Sequence, residues 1–255
     1  MMIFILFLFG AVMGSFLNVC IYRIPREMSV VKPGSRCPAC QKPVRTVHNL
    51  PIVGYLMLRG KCAACGAAIS LRYLVVELLT GLLTAATFLK FGTTLEGAIW
   101  LALVFLLIVI SFIDAEHLFI PDSLLIGCAV VWIVSIISIW PPETLKVALL
   151  GAAAFGGFLL TAKVLGRLFF RKEALGLGDV KLGVVLGAFL GWELTVVSLY
   201  AAFLLAALVG GAGLISKKVR FGQMLPFGPF LALGGIIAIF WGDWVIAQFV
   251  RWMLS

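Results

Sequence analysis

Charged side chains are scarce: they make up 12% of the 255 residues, against roughly a quarter in an ordinary soluble domain. Mean hydropathy is +1.16 and 63% of residues are hydrophobic. That composition excludes a water-soluble globule. Basic residues are missing ahead of the first apolar run, Met2 to Tyr22, and no small-residue cleavage pattern follows it. "IYRIPRE" places arginines behind the run instead, the reverse of a cleavable signal peptide. The run reads as a retained first membrane span. Acids are the scarcest charges, eleven against twenty Lys and Arg, for a net charge of +9.

What is present is a series of apolar runs. About 20 residues at 1.5 Å rise cross a hydrocarbon core of ~30 Å. The expected spans are roughly 2–22, 73–91, 97–113, 122–140, 145–166, 180–192, 194–215 and 227–250. The fold class is therefore an all-α polytopic membrane protein of about eight transmembrane helices, with a small insertion after the first. The parts expected are 1–22, a first helix; 23–72, a cytoplasmic segment; and 73–255, a membrane domain.

Between Arg23 and Arg72 nine cations face one acid, Glu27. Such a patch suits nucleic acid or membrane topology, and in a membrane chain topology is the stronger reading, because short Lys/Arg-rich loops stay cytoplasmic. No nucleic-acid partner is expected. Placing 23–72 inside puts loops 114–121, 167–179 and 216–226 inside and both termini outside. Arg167, Arg171, Lys172, Lys217, Lys218 and Arg220 then fall in inner loops, while Lys163 and Lys181 lie near inner helix ends. In all, 17 of the 20 Lys and Arg agree with this one orientation.

The few acids on the inner side are candidates for function, since ionisable groups at membrane depth are costly. Asp122 in "IPDS" reads as a helix N-cap. Glu116 and His117 read as solvated loop residues. Glu77 either pairs with a cation such as Arg72 or faces a cavity. Asp114 closes the run "LALVFLLIVISFI" and Asp179 opens a span within "LGLGDVKLG", 65 residues further on, at the same surface. A simple cap explains Asp179 poorly, because Gly176 and Gly178 offer backbone freedom and close approach that a cap does not need. Asp114 opposes the dipole of the helix it ends. Two close carboxylates share a proton, the apparatus of aspartic proteolysis. The helix ends suggest Asp114 as the acid and Asp179 as the base.

Of six cysteines, Cys20 and Cys128 lie in apolar runs and read as core residues. "CPAC" and "CAAC" set Cys37, Cys40, Cys62 and Cys65 in two knuckles with 21 residues between them. That spacing reads as a closed structural zinc site of four thiolates. An iron–sulfur or rubredoxin-like iron site and two disulfides are the alternatives, the latter disfavoured in the cytoplasm. His48 and Asn49 read as loop residues, with a polar site role as the alternative.

"GSFLNVCIYRIP", "CPAC", "NLPIVGYLMLRGKC", "CAAC", "FIDAEHLFIPD", "GLGDVKL" and "LPFGPFLALG" together resemble bacterial prepilin peptidases, also called type IV leader peptidases. The resemblance runs from Gly14 to about Gly235. It implies an inner-membrane aspartic protease with Asp114 and Asp179 as the catalytic pair. Such a protease removes the basic leader from type IV prepilins or type II secretion pseudopilins at the cytoplasmic face. It also implies S-adenosylmethionine-dependent N-methylation of the new N-terminal residue, linked to the cysteine segment. His48 stands where many members carry an acid, and Leu175 where methionine is frequent. The basic segment is expected to meet anionic lipid headgroups or acidic substrate side chains. Oligomeric state is not specified by the sequence. A transporter using paired acids as an ion relay, and a non-enzymatic assembly platform, are the rival readings.

Overall fold

The computed structural model describes residues 1–170, 175–217 and 225–254. Arg171, Lys172, Lys218 and Arg220, which the charge pattern puts in inner loops, lie outside these. Among the described residues there are eight α-helices and no β-strand: α1 Met2–Arg23, α2 Val53–Met57, α3 Arg72–Phe91, α4 Leu95–His117, α5 Asp122–Ser138, α6 Thr144–Phe170, α7 Leu177–Ile215 and α8 Gly228–Leu254. Six are long and apolar enough to cross a membrane, and α5 is a shorter apolar helix. The chain is thus a multi-span helical membrane protein. It divides into two compact units, Met1–Val109 and Ile110–Ser255.

In the first unit α1 packs on α3. Neither helix can use ordinary amphipathicity, because lipid is as apolar as leucine. Small residues that let backbones approach take its place. Gly10 and Gly14 of α1 meet Thr84, Thr80 and the Glu77 backbone, and Gly81 of α3 meets Phe7. A Cβ on Gly14 would lie 2.8 Å from the Glu77 Cα. The threonines at this seam are buried without penalty, since Thr80 and Thr84 donate to carbonyls one turn back, Val76 at 2.6 Å and Thr80 at 2.7 Å.

In the second unit α7 packs against α6, α8 and α5. Unbroken, its 39 residues would run ~58 Å, nearly twice a hydrocarbon core. Gly191, at φ 70 and ψ 178, breaks it, close to where the sequence separates the expected sixth and seventh spans. Beside the break the Trp132 indole N–H of α5 donates to the Ala188 carbonyl at 3.0 Å, satisfying an acceptor of the kind stranded at helix ends. Gly151 and Gly187 meet backbone to backbone between α6 and α7, and Gly234 of α8 sits against Ser198 and Ala202 of α7.

Candidate functional site

Two helix ends carry the two candidate aspartates. Asp114 lies in the last turn of α4, where its carbonyl accepts the Leu118 N–H at 2.9 Å as Leu118 turns out of the helix with φ 57. Asp179 is the third residue of α7. Both are buried, 4% and 7% exposed, and both line one cavity of about 480 Å³ together with Ile120, Pro121, Gly178 and Phe227. Each carboxylate is fixed by a glycine amide. Gly176 N–H donates to Asp179 Oδ2 at 2.9 Å, and Gly228 N–H donates to Asp114 Oδ2 at 2.8 Å. The acids sit at helix ends rather than mid-span, unlike the midplane acids of an ion relay.

The glycines act through approach, not through unusual dihedrals. Gly176 has φ −70 and ψ 157, ordinary extended backbone. A Cβ on Gly178 would stand 3.0 Å from Ile120 Cβ, and one on Gly228 would stand 2.8 Å from Asp114 Oδ2. Gly228 opens α8, so Asp114 meets the C-terminal turn of its own helix and the N-terminus of another. An N-terminus favours an anion. The asymmetry between acid and base expected from helix ends is offset, and the roles are not separated that way.

Asp122 is not the N-cap expected. Pro121 holds that position and Asp122 is the first helical residue; its Oδ1 pairs with Lys181 Nζ at 2.6 Å, an exposed bridge at the rim of the same cavity. His117, at the end of α4, lies against the Phe119 ring, 6.2 Å between centroids, and does not line the cavity.

The four cysteines converge. Their Sγ atoms all lie within 4.8 Å of one another, and Cys37 Sγ stands 3.9 Å from Cys65 Sγ. Tetrahedral thiolates at 2.3 Å from zinc are ~3.8 Å apart, so the donor set fits zinc in kind and spacing, while 3.9 Å is far beyond a disulfide bond. Each knuckle repeats one backbone pattern. Cys37 N–H donates to Lys42 O at 3.0 Å and Cys62 N–H to Ala67 O at 2.8 Å, with Gln41 (φ 58) and Gly66 (φ 73) at the matching left-handed positions. The amides of Ala64 and Cys65 pull the Cys62 thiol down to about 6. Ala67's amide acts in the same sense on Cys65, yet the neighbouring sulfurs, Cys40 foremost, leave it up at about 11. Four sulfurs this close ionise together only around a cation.

The first unit holds a second cavity, about 900 Å³, lined by Tyr22, Arg45, His48, Asn49, Tyr55 and Glu77 among others. Glu77 is 6% exposed and its Oε2 accepts the Ile52 N–H at 2.7 Å. Of the two alternatives for Glu77, the cavity is the one observed. Sequence reasoning missed this partner and missed Gly228. The motifs "NLPIVGY" and "LPFGPF" contain both residues, but nothing in their spacing says which acid each turn will meet.

Comparison with known proteins agrees with this architecture. The family model described as Bacterial Peptidase A24 N-terminal domain matches residues 8–91, and that described as Type IV leader peptidase family matches residues 101–211. A prepilin leader peptidase/N-methyltransferase of Stutzerimonas stutzeri is 35% identical over 268 residues, covering 95% of this chain and 91% of the relative. One of the same name from Bacillus subtilis is 34% identical over 254 residues, covering all of both chains. One from Pseudomonas aeruginosa is 35% identical, covering 96% of this chain and 92% of the relative. No solved structure matches. The chain belongs to the type IV leader peptidase family.

Proposed function

We propose that this protein cleaves the leader from type IV prepilins or type II secretion pseudopilins, with Asp114 and Asp179 as the catalytic pair, and N-methylates the residue so exposed. The observation that carries the proteolytic half is the shared cavity: two buried carboxylates, each with one oxygen anchored by a backbone N–H. The pair carries one proton between them. One carboxylate removes a proton from water as it attacks the scissile carbonyl, and the other donates a hydrogen bond to the carbonyl oxygen. The tetrahedral adduct collapses as the C–N bond breaks, and the proton passes to the leaving amine. The cavity the two acids share takes the extended substrate backbone.

The methyl half draws on S-adenosylmethionine, which supplies an electrophilic methyl group when bound. The cavity of the first unit suits such a ligand in size and in its aromatic and cationic walls. Cys37, Cys40, Cys62 and Cys65 hold one structural zinc, bracing a segment too small to build its own core. The parts are a first transmembrane helix at 1–22, the zinc segment at 23–72 and the membrane protease domain at 73–255. The protein lies in the bacterial inner membrane with the zinc segment and both aspartates on the cytoplasmic side, as the Lys/Arg distribution favours. Its basic segment meets anionic lipid.

The test is mass spectrometry of a prepilin incubated with purified protein in detergent, with and without S-adenosylmethionine. Wild type loses the leader mass, and Asp114→Asn and Asp179→Asn do not. Cleavage by either variant at the wild-type rate would sink the dyad.

A further inference from the structure

N-methylation has a requirement that the aspartate pair does not meet. A new N-terminus is an ammonium group near neutral pH, with an α-amino pKa of about 7.7–8.0. It has no lone pair to attack with until a proton leaves. The acceptor of that proton must stand in the methyl-transfer cavity. Among the described residues lining the cavity of the first unit, Glu77 is the one acid.

Its setting is built rather than incidental. The Gly14 backbone of α1 presses on the Glu77 backbone in α3 and so fixes the root of the side chain. Oε2 takes the Ile52 N–H at 2.7 Å, and Ser15 of α1 lines the same cavity. Ile52 stands at φ 63 and ψ −55, and Val53 N–H closes a tight turn onto Pro51 O at 2.6 Å. That is a γ-turn of the rare, strained hand, on a β-branched residue that avoids positive φ. Strain of this kind persists where surrounding structure holds it, and it gathers at functional sites. Gly54, two residues on, lies against the His48 carbonyl, where no side chain fits. The whole turn is wound down onto Glu77. A carboxylate offers about four lone-pair positions, so the one Ile52 donor leaves it able to accept more.

The cations of the same cavity are partly committed elsewhere. Arg23 donates to the carbonyls of Ser29 at 2.8 Å and Pro33 at 2.6 Å, and Arg26 lies over the Tyr22 ring at 4.2 Å while donating to the Tyr22 carbonyl.

From these placements we infer that Glu77 receives the substrate's new α-ammonium group and takes its proton for methyl transfer. The inference rests on the methyl-transfer reading above. The N–H proton moves to the Glu77 carboxylate. The nitrogen lone pair then forms the N–CH3 bond as the S–CH3 bond of the sulfonium donor breaks. Its electron pair stays on sulfur, leaving a neutral thioether, and the proton on Glu77 is lost to water.

Glu77→Gln is the informative variant, because the amide oxygen can still accept the Ile52 N–H. Four quantities are read on the full-length protein in detergent: leader cleavage, zinc content, S-adenosylhomocysteine binding by calorimetry, and methyl transfer to a synthetic pilin-like peptide with a free N-terminus. Cleavage, zinc and S-adenosylhomocysteine binding stay within twofold of wild type, and methyl transfer falls about a hundredfold or more, the scale of a lost general base. Wild type also binds the free-amine peptide more tightly than its N-acetyl form, and the variant loses that preference. Methyl transfer within threefold of wild type overturns the inference. So does a parallel fall in zinc content and S-adenosylhomocysteine binding, which would make Glu77 a brace for the Ile52 turn. So does loss of transfer on His48→Ala with Glu77→Gln still active. A wild-type protein that cleaves but never methylates overturns the methyl-transfer reading itself, a result the variants cannot mimic.

Discussion

Replacing Gly228 by alanine adds one methyl group beside Asp114, and the structure sets the scale of the effect. The new Cβ would sit 2.8 Å from Asp114 Oδ2, 3.0 Å from Cγ and 3.1 Å from Cβ. Real Cβ atoms do not approach that closely, so either α8 or the aspartate must move. Overpacking of this kind costs about 1–3 kcal/mol. The Gly228 N–H to carboxylate bond at 2.8 Å stretches with the shift, and hydrogen bonds to charged groups contribute about 1.5–3 kcal/mol. Misplacing a catalytic group by ~1 Å costs on the order of a hundredfold in rate. Gly228→Ala is therefore expected to lower kcat for leader cleavage about a hundredfold with KM within about threefold, measured on purified protein with a prepilin substrate. Gly157→Ala in α6 is the control: nothing lies within 4 Å of its added Cβ, and alanine in a helix interior is favoured over glycine by roughly 0.5–1 kcal/mol. It should cleave at the wild-type rate. A Gly228→Ala protein that cleaves within threefold of wild type would refute the claim that Gly228 N–H fixes Asp114. So would one whose only defect is in KM.

Two further outcomes follow from the same geometry. Gly178→Ala brings a Cβ to 3.0 Å from Ile120 Cβ and should slow cleavage about tenfold; adding Ile120→Ala opens that space, so the double variant should recover much of the loss, a coupling expected of contacting residues. If the two losses simply add, Gly178 acts by another route. Cys65→Ser removes one of four converging thiolates and should lower bound zinc from about one per chain, read by atomic absorption, and abolish methyl transfer. Leader cleavage should stay within about tenfold, because both aspartates belong to the second unit; full zinc content in the variant would remove the four-thiolate assignment.

Much of this is legible in the sequence. Long apolar runs give long apolar helices almost without ambiguity, because in lipid every backbone group must be satisfied within the segment. The knuckles were legible because a metal site writes its spacing into the chain. Asp114 and Asp179 stood out because acids are so few. The element count was less secure. Residues 177–215 read as two spans and form one helix broken at Gly191, while α5 is shorter than its expected run. Asp122 looked like a cap by its neighbours Ile120 and Pro121, yet its side chain is drawn to Lys181, 59 residues away. The glycine amides on the aspartates illustrate the limit most clearly. Gly176 is local to Asp179, three residues on, and its role was within reach of a pattern argument. Gly228 lies 114 residues from Asp114, and only the packing of α8 brings it there.

That contrast has a physical reason. In water an acid can be held by a lysine or arginine, and the pair then shows in the charge pattern. Inside a membrane protein, each added charge brings its own desolvation cost of several kcal/mol. A backbone N–H at a helix start is already polar, already unpaired within its helix, and adds no net charge. Using it requires only that the backbone come close, which glycine eases. Asp114, Asp179 and Glu77 are each held by such an amide, from Gly228, Gly176 and Ile52, and in the first two the donor is glycine at a helix start. Glu77 departs from the pattern by using a strained isoleucine turn in place of a helix end. It is also the one of the three that lies outside the proposed proteolytic pair. A carboxylate fixed with that much local strain, outside the aspartate cavity, is expected to serve a separate step.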